Sequence, residues 1–258
     1  MPDWRTARYL VLDTETTGLD PATDRVVEVA ATVFDAGEDT LSTVVFQSLI
    51  NPERPIPPEA SAIHHLTAAD VADAPTLDTL TPRLRELAAT ADVLVAHNAA
   101  FDRAFLPDLG RPWFCTLRAA RHLWPHAPRH SNQVLRYWIP LTVWAQSPHR
   151  AGDDTQVTAA LLRHILGLAT LRTQVPGPEC VDLIAWADAP IAVSAFPFGK
   201  YKDVPLSQVP RSYVEWAMAN LPHMDADLAW SLRQALAPGG AIWEAEHHPA
   251  PPAQLPLL

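Results

Sequence analysis

The sequence predicts an α/β fold, a mixed sheet with helices on both faces. Three observations carry the prediction. RYLVLDTETTGL opens with an apolar, partly β-branched run of the kind found in buried strands, and strands antiparallel to it are expected near residues 25–35 and 41–50. ADVLVAHNAAFDRAFL reads as a short apolar strand from Val93 to Ala96, then a polar turn, then the start of a helix. AGDDTQVTAALLRHIL carries an inward apolar stripe at helical spacing through Val157, Leu161 and Ile165. Between the last two, HSNQVLRYW reads as a short helix that Ser131 is able to cap.

Each of these three segments also places acids. Asp13 and Glu15 are two residues apart on a strand, so they share one face while Thr14 points to the other, and both can reach one cation. A solvated acid pair at a strand end is the plainer alternative in a chain with 29 acidic against 19 basic residues. Asp102 falls among Phe101, Phe105 and Leu106, at the edge of the apolar face of its helix, where a cation would compensate its burial. A first-turn Asp favoured by the helix dipole is the alternative there, and capping is the alternative for His97 and Asn98 just before it. Asp154 precedes Val157, Leu161 and Ile165 on the inward stripe, while Asp153 is rotated away by about 100°. His149 stands five residues before Asp154, in a loop with proline and arginine. A histidine in such a loop is commonly a plain surface residue, but its near-neutral pKa suits activation of a water. Gathered carboxylates repel unless hard divalent cations lie between them, and two such cations can hydrolyse a phosphodiester.

In order, identity and spacing, these segments resemble the motifs of the DEDDh superfamily of exonucleases, over roughly residues 7–167. The resemblance implies a ribonuclease-H-like fold, two Mg²⁺ (or Mn²⁺) ions and release of nucleoside monophosphates from 3′ ends. It implies Asp13, Glu15, Asp102 and Asp154 as metal ligands and His149 as general base. The related tyrosine subclass has Tyr four residues before the last acid, where this chain has Arg150, so His149 assigns the histidine subclass. The same resemblance suggests substrate contacts at Thr16, Gly18 and Leu19 of the TTGL turn, with Leu19 either wedging against the terminal base or packing in the core. His64 matches a histidine that precedes Gly-Ile/Leu-Thr in relatives, and His65 replaces that glycine here. Asn98 and Phe101 are further candidates for the nucleotide channel, with packing as the alternative for Phe101.

At 258 residues the chain is long enough for one substantial core and a smaller unit, and 48% hydrophobic content fits a soluble globular protein. No apolar run approaches a membrane span and no signal-peptide pattern opens the chain, so no membrane partner is expected. Two cysteines, Cys115 and Cys180, form neither a disulfide framework nor a zinc set, which makes the cytoplasm the expected compartment. The net charge of −10 runs against a nucleic-acid enzyme, but it weighs less once four acids are assigned to metals, because charge at the groove rather than the total decides binding. Arg103, Arg118, Arg121, Arg129 and Arg150 are candidates for phosphate contacts.

An exonuclease domain is expected over 1–170, a linker over 171–194, a small α+β module over 195–237 and a disordered, proline-rich tail over 238–258. LRTQVPGPEC and DAPIAVSAFPF supply the breakers, with a short helical stretch VDLIAWA between them. The only two lysines, Lys200 and Lys202, flank Tyr201 in FPFGKYKDVPLSQVP, which reads as two short strands around a turn at Gly199 with helices near Arg211–Asn220 and Asp225–Leu236. The segment resembles the carboxy-terminal module of exonuclease X-like proteins. Lys200, Tyr201 and Lys202 could grip a phosphate backbone and stack on a base, or simply solvate a hairpin over a small aromatic core. The last residues, Gln254, Leu255, Leu257 and Leu258 with Pro256, resemble peptides that bind the bacterial sliding clamp.

The leading expectation is a 3′-5′ exonuclease acting on DNA in repair or replication-associated processing. An RNA-trimming nuclease uses the same acids and base, and a non-catalytic protein binding nucleic acid or the clamp is the alternative from another class.

Overall fold

The computed structural model describes residues 1–37, 43–143, 149–221 and 224–237. The chain forms two compact units, Met1–Asp188 and Ala189–Leu258.

In the first unit β1 (Arg8–Thr16), β2 (Val26–Asp35), β3 (Thr43–Leu49), β4 (Val93–Ala96) and β5 (Trp113–Cys115) form one sheet in the order β3-β2-β1-β4-β5. β1 pairs antiparallel with β2, and β2 with β3, whereas β4 lies parallel to β1 and β5 to β4. The mixed sheet is the one expected from the sequence. β1 sits at its centre, so Tyr9, Leu10, Val11 and Leu12 are all fully buried.

The helices of this unit, in chain order, are α1 (Pro58–His64), α2 (Ala68–Val71), α3 (Leu77–Ala89), α4 (Ala99–Phe105), α5 (Thr116–Leu123), α6 (Asn132–Trp138), α7 (Ala151–Gly167), α8 (Ala169–Gln174) and α9 (Cys180–Asp188). They cover both faces of the sheet. On one, Tyr9, Val11, Phe34, Val95 and Phe114 pack with Leu161, Leu162 and Ile165 of α7 and Leu183 of α9. On the other, Leu10, Leu12, Ala31 and Leu94 pack with Leu84, Leu87 and Ala88 of α3 and Phe105 of α4. Each fully buried leucine contributes about 1.5–3 kcal/mol of burial. The alternation of β1 continues past the core, so Asp13 and Glu15 follow Tyr9 and Val11 onto the α7 side.

The stretch from 171 to 188, expected to be linker, belongs to the first unit. Leu171, Val175, Cys180, Leu183 and Ala187 all enter the main core. The amino terminus helps to hold it: the Trp4 indole donates to Gly177 O at 3.1 Å and Cys180 N donates to Pro2 O at 2.9 Å. The breakers near 176–178 therefore separate two helices rather than two domains. Cys115 and Cys180 are buried and unpaired.

In the second unit α10 (Arg211–Asn220) and α11 (Ala226–Leu236) pack around Phe196, Leu206, Val209, Val214, Ala217, Leu228 and Leu232. Asp225 caps α11, accepting from the amides of Asp227 and Leu228. The expected hairpin at Gly199 is instead a single bridge, Ala195 to Pro205, closed over a 3-10 turn at Gly199–Tyr201. Pro197 and Pro205 lack the N–H groups a ladder needs. The tail peptide at Gln254–Leu258 lies outside the described residues. Among the described residues no helix is long and apolar enough to cross a membrane.

Candidate active site

The carboxyl ends of β1 and β4 meet the starts of α4 and α7, and the predicted acids gather there. Ligand atoms of Glu15, His149 and Asp154 all lie within 4.8 Å of one another. Asp13 and Asp102 are not part of that close group, but Asp13 is electrostatically joined to it: burial first, then the charges of Asp102, Glu15 and Asp154, push its pKa well above the carboxylate range. Burial and then Asp154, Glu28 and Asp102 push Glu15 up to about 8. Asp102 and Asp154 are also raised by burial, against hydrogen bonds that favour their charged forms.

Those hydrogen bonds fix the carboxylates. Thr14, on the opposite face of β1 from Asp13, donates through Oγ1 to Asp102 Oδ1 at 2.9 Å. Asp154 Oδ1 accepts from Gln133 Nε2 at 2.9 Å, and Asp154 Oδ2 accepts from the backbone N–H of His149 at 2.8 Å. His149 holds a left-handed backbone, φ 61°, and its side chain is exposed. Ser131, expected to cap α6, makes no side-chain capping bond, and α6 instead presents Gln133 to Asp154.

Glu28 of β2 stands directly opposite Glu15 in the β1/β2 register and is 1% exposed. Burial alone would raise its pKa, but bonds from Arg150, Gln47 and the Ala151 amide hold it below the ordinary value. Sequence reading passed over Glu28, Gln47 and Gln133. An acid inside the apolar run VVEVAATVF was a signal for Glu28; nothing local marks the two glutamines.

The TTGL turn is tied down by Thr16 Oγ1, which donates to Gly18 O at 2.6 Å, and by Thr17 Oγ1, which donates to Asp24 Oδ1 at 3.0 Å. A Cβ at Gly18 would lie 2.4 Å from Asp24 Oδ2, so a larger residue there would displace the carboxylate that closes the turn. Leu19 is 83% exposed and does not pack in the core. His64 is buried; its Nδ1 accepts from Leu66 N at 3.0 Å and its Nε2 has no hydrogen-bond partner. His65 takes the left-handed conformation, φ 61°, that the missing glycine would favour. Asn98 is exposed and also left-handed, φ 74°, without a side-chain cap bond, and the Phe101 ring packs tilted against Phe105 with centroids 4.8 Å apart. His97 bridges Thr116 Oγ1 at 3.0 Å and His130 O at 2.7 Å. Of the candidate phosphate contacts, Arg118 donates to the carbonyl of Ala187 at 3.1 Å and Arg150 is paired with Glu28 at 2.9 Å.

The donor set fits hard divalent cations: the carboxylates are buried or half-buried near one another, and their raised pKa values show that Arg150 and the local hydrogen bonds relieve only part of the repulsion. The sequence model of a family described as "Exonuclease" matches residues 10–162, more than half of the chain. The chain belongs to the exonuclease family. Members of this family depend on divalent metal, and the exonuclease acts on nucleic acid. It is similar to "Exodeoxyribonuclease 10" of Escherichia coli strain K12, 34% identical over 88% of this chain and 97% of that protein. Among solved structures, "Exonuclease X in complex with 5' overhanging duplex DNA" is 34% identical, with TM-score 0.57 over 69% of this chain and 99% of that one. The E. coli Exonuclease I structure with a dT13 oligonucleotide shares the fold, with TM-score 0.53 and 18% identity over 62% of this chain and 41% of that one. A second family model, described as "Putative quorum-sensing-regulated virulence factor", matches residues 189–224, within the smaller unit of the exonuclease.

Proposed function

We propose that this exonuclease removes nucleoside 5′-monophosphates from the 3′ ends of DNA, with Asp13, Glu15, Asp102 and Asp154 holding two Mg²⁺ or Mn²⁺ ions and His149 as general base. The observation that carries the reading is the convergence of Glu15, His149 and Asp154 to within 4.8 Å, with Asp13 coupled to Glu15 and Asp154 through charge. When bound, two divalent ions supply Lewis-acid activation of a water and stabilise the charge of the leaving 3′ oxygen. The chain's own residues do the remaining work. The exposed imidazole of His149 accepts the proton of the attacking water, a contribution of about 10²–10⁴ in rate. Gln133 and the His149 amide orient Asp154, and Thr14 orients Asp102.

DNA is favoured over RNA by the relative named Exodeoxyribonuclease 10 and by the 34% identical structure described with duplex DNA. Substrate contacts are assigned to Thr16, Gly18, Leu19, His64, Asn98 and Phe101. The exposure of Leu19 supports a wedge against the terminal base, whereas His64 is buried and bears on substrate through the turn it holds at Leu66. In the smaller unit, Lys200 and Lys202 are exposed, and Lys200 Nζ lies 5.2 Å from the centroid of the Tyr201 ring, which packs on Tyr213 at 4.5 Å. This pairing supports a phosphate contact by the lysines more than base stacking by Tyr201. The tail peptide at Gln254–Leu258 is assigned to the bacterial sliding clamp on its sequence alone. A fluorescence titration of that peptide against purified clamp tests it, and no binding at high micromolar concentration removes the assignment.

The principal test is Mg²⁺-dependent digestion of matched 5′-labelled single-stranded DNA, duplex DNA and RNA, beside Asp154→Ala and His149→Ala. A ladder shortening from the 3′ end of DNA, lost in both variants, is the expected result. Preferential shortening of RNA overturns the DNA assignment, and undiminished activity in His149→Ala removes the general base.

A further inference from the structure

We propose that Glu28 is a positioning residue, acting with Arg150 and Gln47 to hold the turn that carries His149 in register with Glu15 and Asp154. The inference rests on the reading of His149 as general base.

The segment HRAGDD is wired to the sheet at successive residues. Arg150 Nη2 donates to Glu28 Oε1 at 2.9 Å and Arg150 Nε to Glu28 Oε2 at 3.1 Å, a two-point grip between guanidinium and carboxylate. The backbone N–H of Ala151 donates to the same Oε2 at 3.1 Å. Gln47 Nε2, reaching across from β3, donates to Oε1 at 2.9 Å. Gly152 makes room for that amide, because a Cβ there would lie 2.5 Å from Gln47 Oε1. Two residues on, Asp154 accepts the His149 amide, and Thr155 is joined to Thr32 of β2 by a hydroxyl contact of 2.8 Å. His149 itself has φ 61°, a conformation that a non-glycine residue keeps only where its surroundings impose it. The Arg150–Glu28 grip begins at the very next residue and supplies that imposition.

Glu28 also lies opposite Glu15 on a neighbouring strand, an arrangement that would repel. Arg150 answers that charge, and Glu15 and Asp153 face the same guanidinium. One arginine thus orients the His149 turn and screens a buried glutamate from a proposed metal ligand.

The test is a set of double-mutant cycles on the full chain with Mg²⁺ and a labelled DNA substrate. Glu28→Gln keeps the shape but loses the charge; Arg150→Lys keeps the charge but loses the planar fork. With His149 present, each is expected to lower kcat by about 10- to 100-fold with KM little changed, as expected of a displaced catalytic group. In a His149→Ala background the same substitutions should lower kcat clearly less than they do with His149 present, because the imidazole is gone and only the backbone bond to Asp154 and the charge facing Glu15 remain to be disturbed. Equal losses in both backgrounds, or a change confined to KM, overturn the proposal. If His149→Ala alone leaves kcat untouched, it is the general-base reading that fails. Should Glu28→Gln not fold, Gln47→Ala, at an exposed residue of the edge strand, carries the same comparison.

Discussion

Gln133 Nε2 donates to Asp154 Oδ1 across 2.9 Å, joining α6 to the acid proposed as the last metal ligand. A hydrogen bond to a charged group contributes about 1.5–3 kcal/mol, which corresponds to roughly 10- to 100-fold. Gln133→Leu is therefore expected to lower kcat/KM by about that factor and to raise the Mg²⁺ concentration needed for half-maximal rate, with the melting temperature close to wild type. Steady-state rates over a Mg²⁺ series check this; an unchanged Mg²⁺ requirement would remove Gln133 from the site.

The buried acids make apo stability and activity oppose each other. Burial and neighbouring charges raise Glu15 to about 8, so the folded state holds protons that the unfolded chain has already released above its ordinary carboxylate range. The metal-free protein should accordingly lose stability as pH rises from about 5 to 8. A divalent ion replaces those protons, and the melting-temperature gain from Mn²⁺ should be larger at pH 8 than at pH 6. Asp13→Asn removes one of the repelling charges; it should raise the apo melting temperature, abolish the Mn²⁺ gain and leave less activity than His149→Ala. Thermal melts with EDTA or Mn²⁺ at both pH values check all three outcomes.

His97 sets an opposite dependence at lower pH. Burial between Thr116 and His130 O lowers its pKa from 6.5 to about 4, so the unfolded chain protonates first as pH falls. Its contribution is present above pH 6.5 and lost as pH falls toward 4, up to about 3 kcal/mol. His97→Gln should flatten this limb relative to wild type in urea titrations at pH 7, 5.5 and 4.5. Parallel pH dependences in the two proteins would show that His97 takes up its proton equally in the folded and unfolded states, so that its burial contributes nothing to this limb.

His65 occupies a left-handed position, φ 61°, at the end of α1. That conformation costs a residue with a Cβ about 1–2 kcal/mol, and a flexible glycine in the unfolded chain offsets part of the relief. His65→Gly should raise stability by roughly 1 kcal/mol or less, read as a higher urea midpoint at an unchanged slope. A lower midpoint would mean that the imidazole makes contacts worth more than the strain.

Local pattern made much of the architecture legible. The strand expected over Val93–Ala96 is observed there, and α10 spans the expected Arg211–Asn220, because each is written in short-range periodicity and breakers. Asp154 faces inward because it shares the stripe of Val157, Leu161 and Ile165, and that too follows from spacing alone. The prolines near 176 read as a linker, although the same breakers also end a helix inside a domain. Only the burial of Leu183 and Ala187 in the main core decides between these readings.

The sequence by itself determined the family, the mixed sheet and the identities of the candidate acids and base, since these depend on residue type and local period. Only the tertiary structure decided what surrounds them. Glu28 receives Arg150 from 122 residues away in the chain, and Asp154 receives Gln133 from 21 residues away. The FGKYKD segment likewise closes on a bridge instead of a hairpin. Pairings of this kind arise from which elements pack together, and the energy that selects a buried partner is set by desolvation at the assembled site, a quantity that no short stretch of sequence contains.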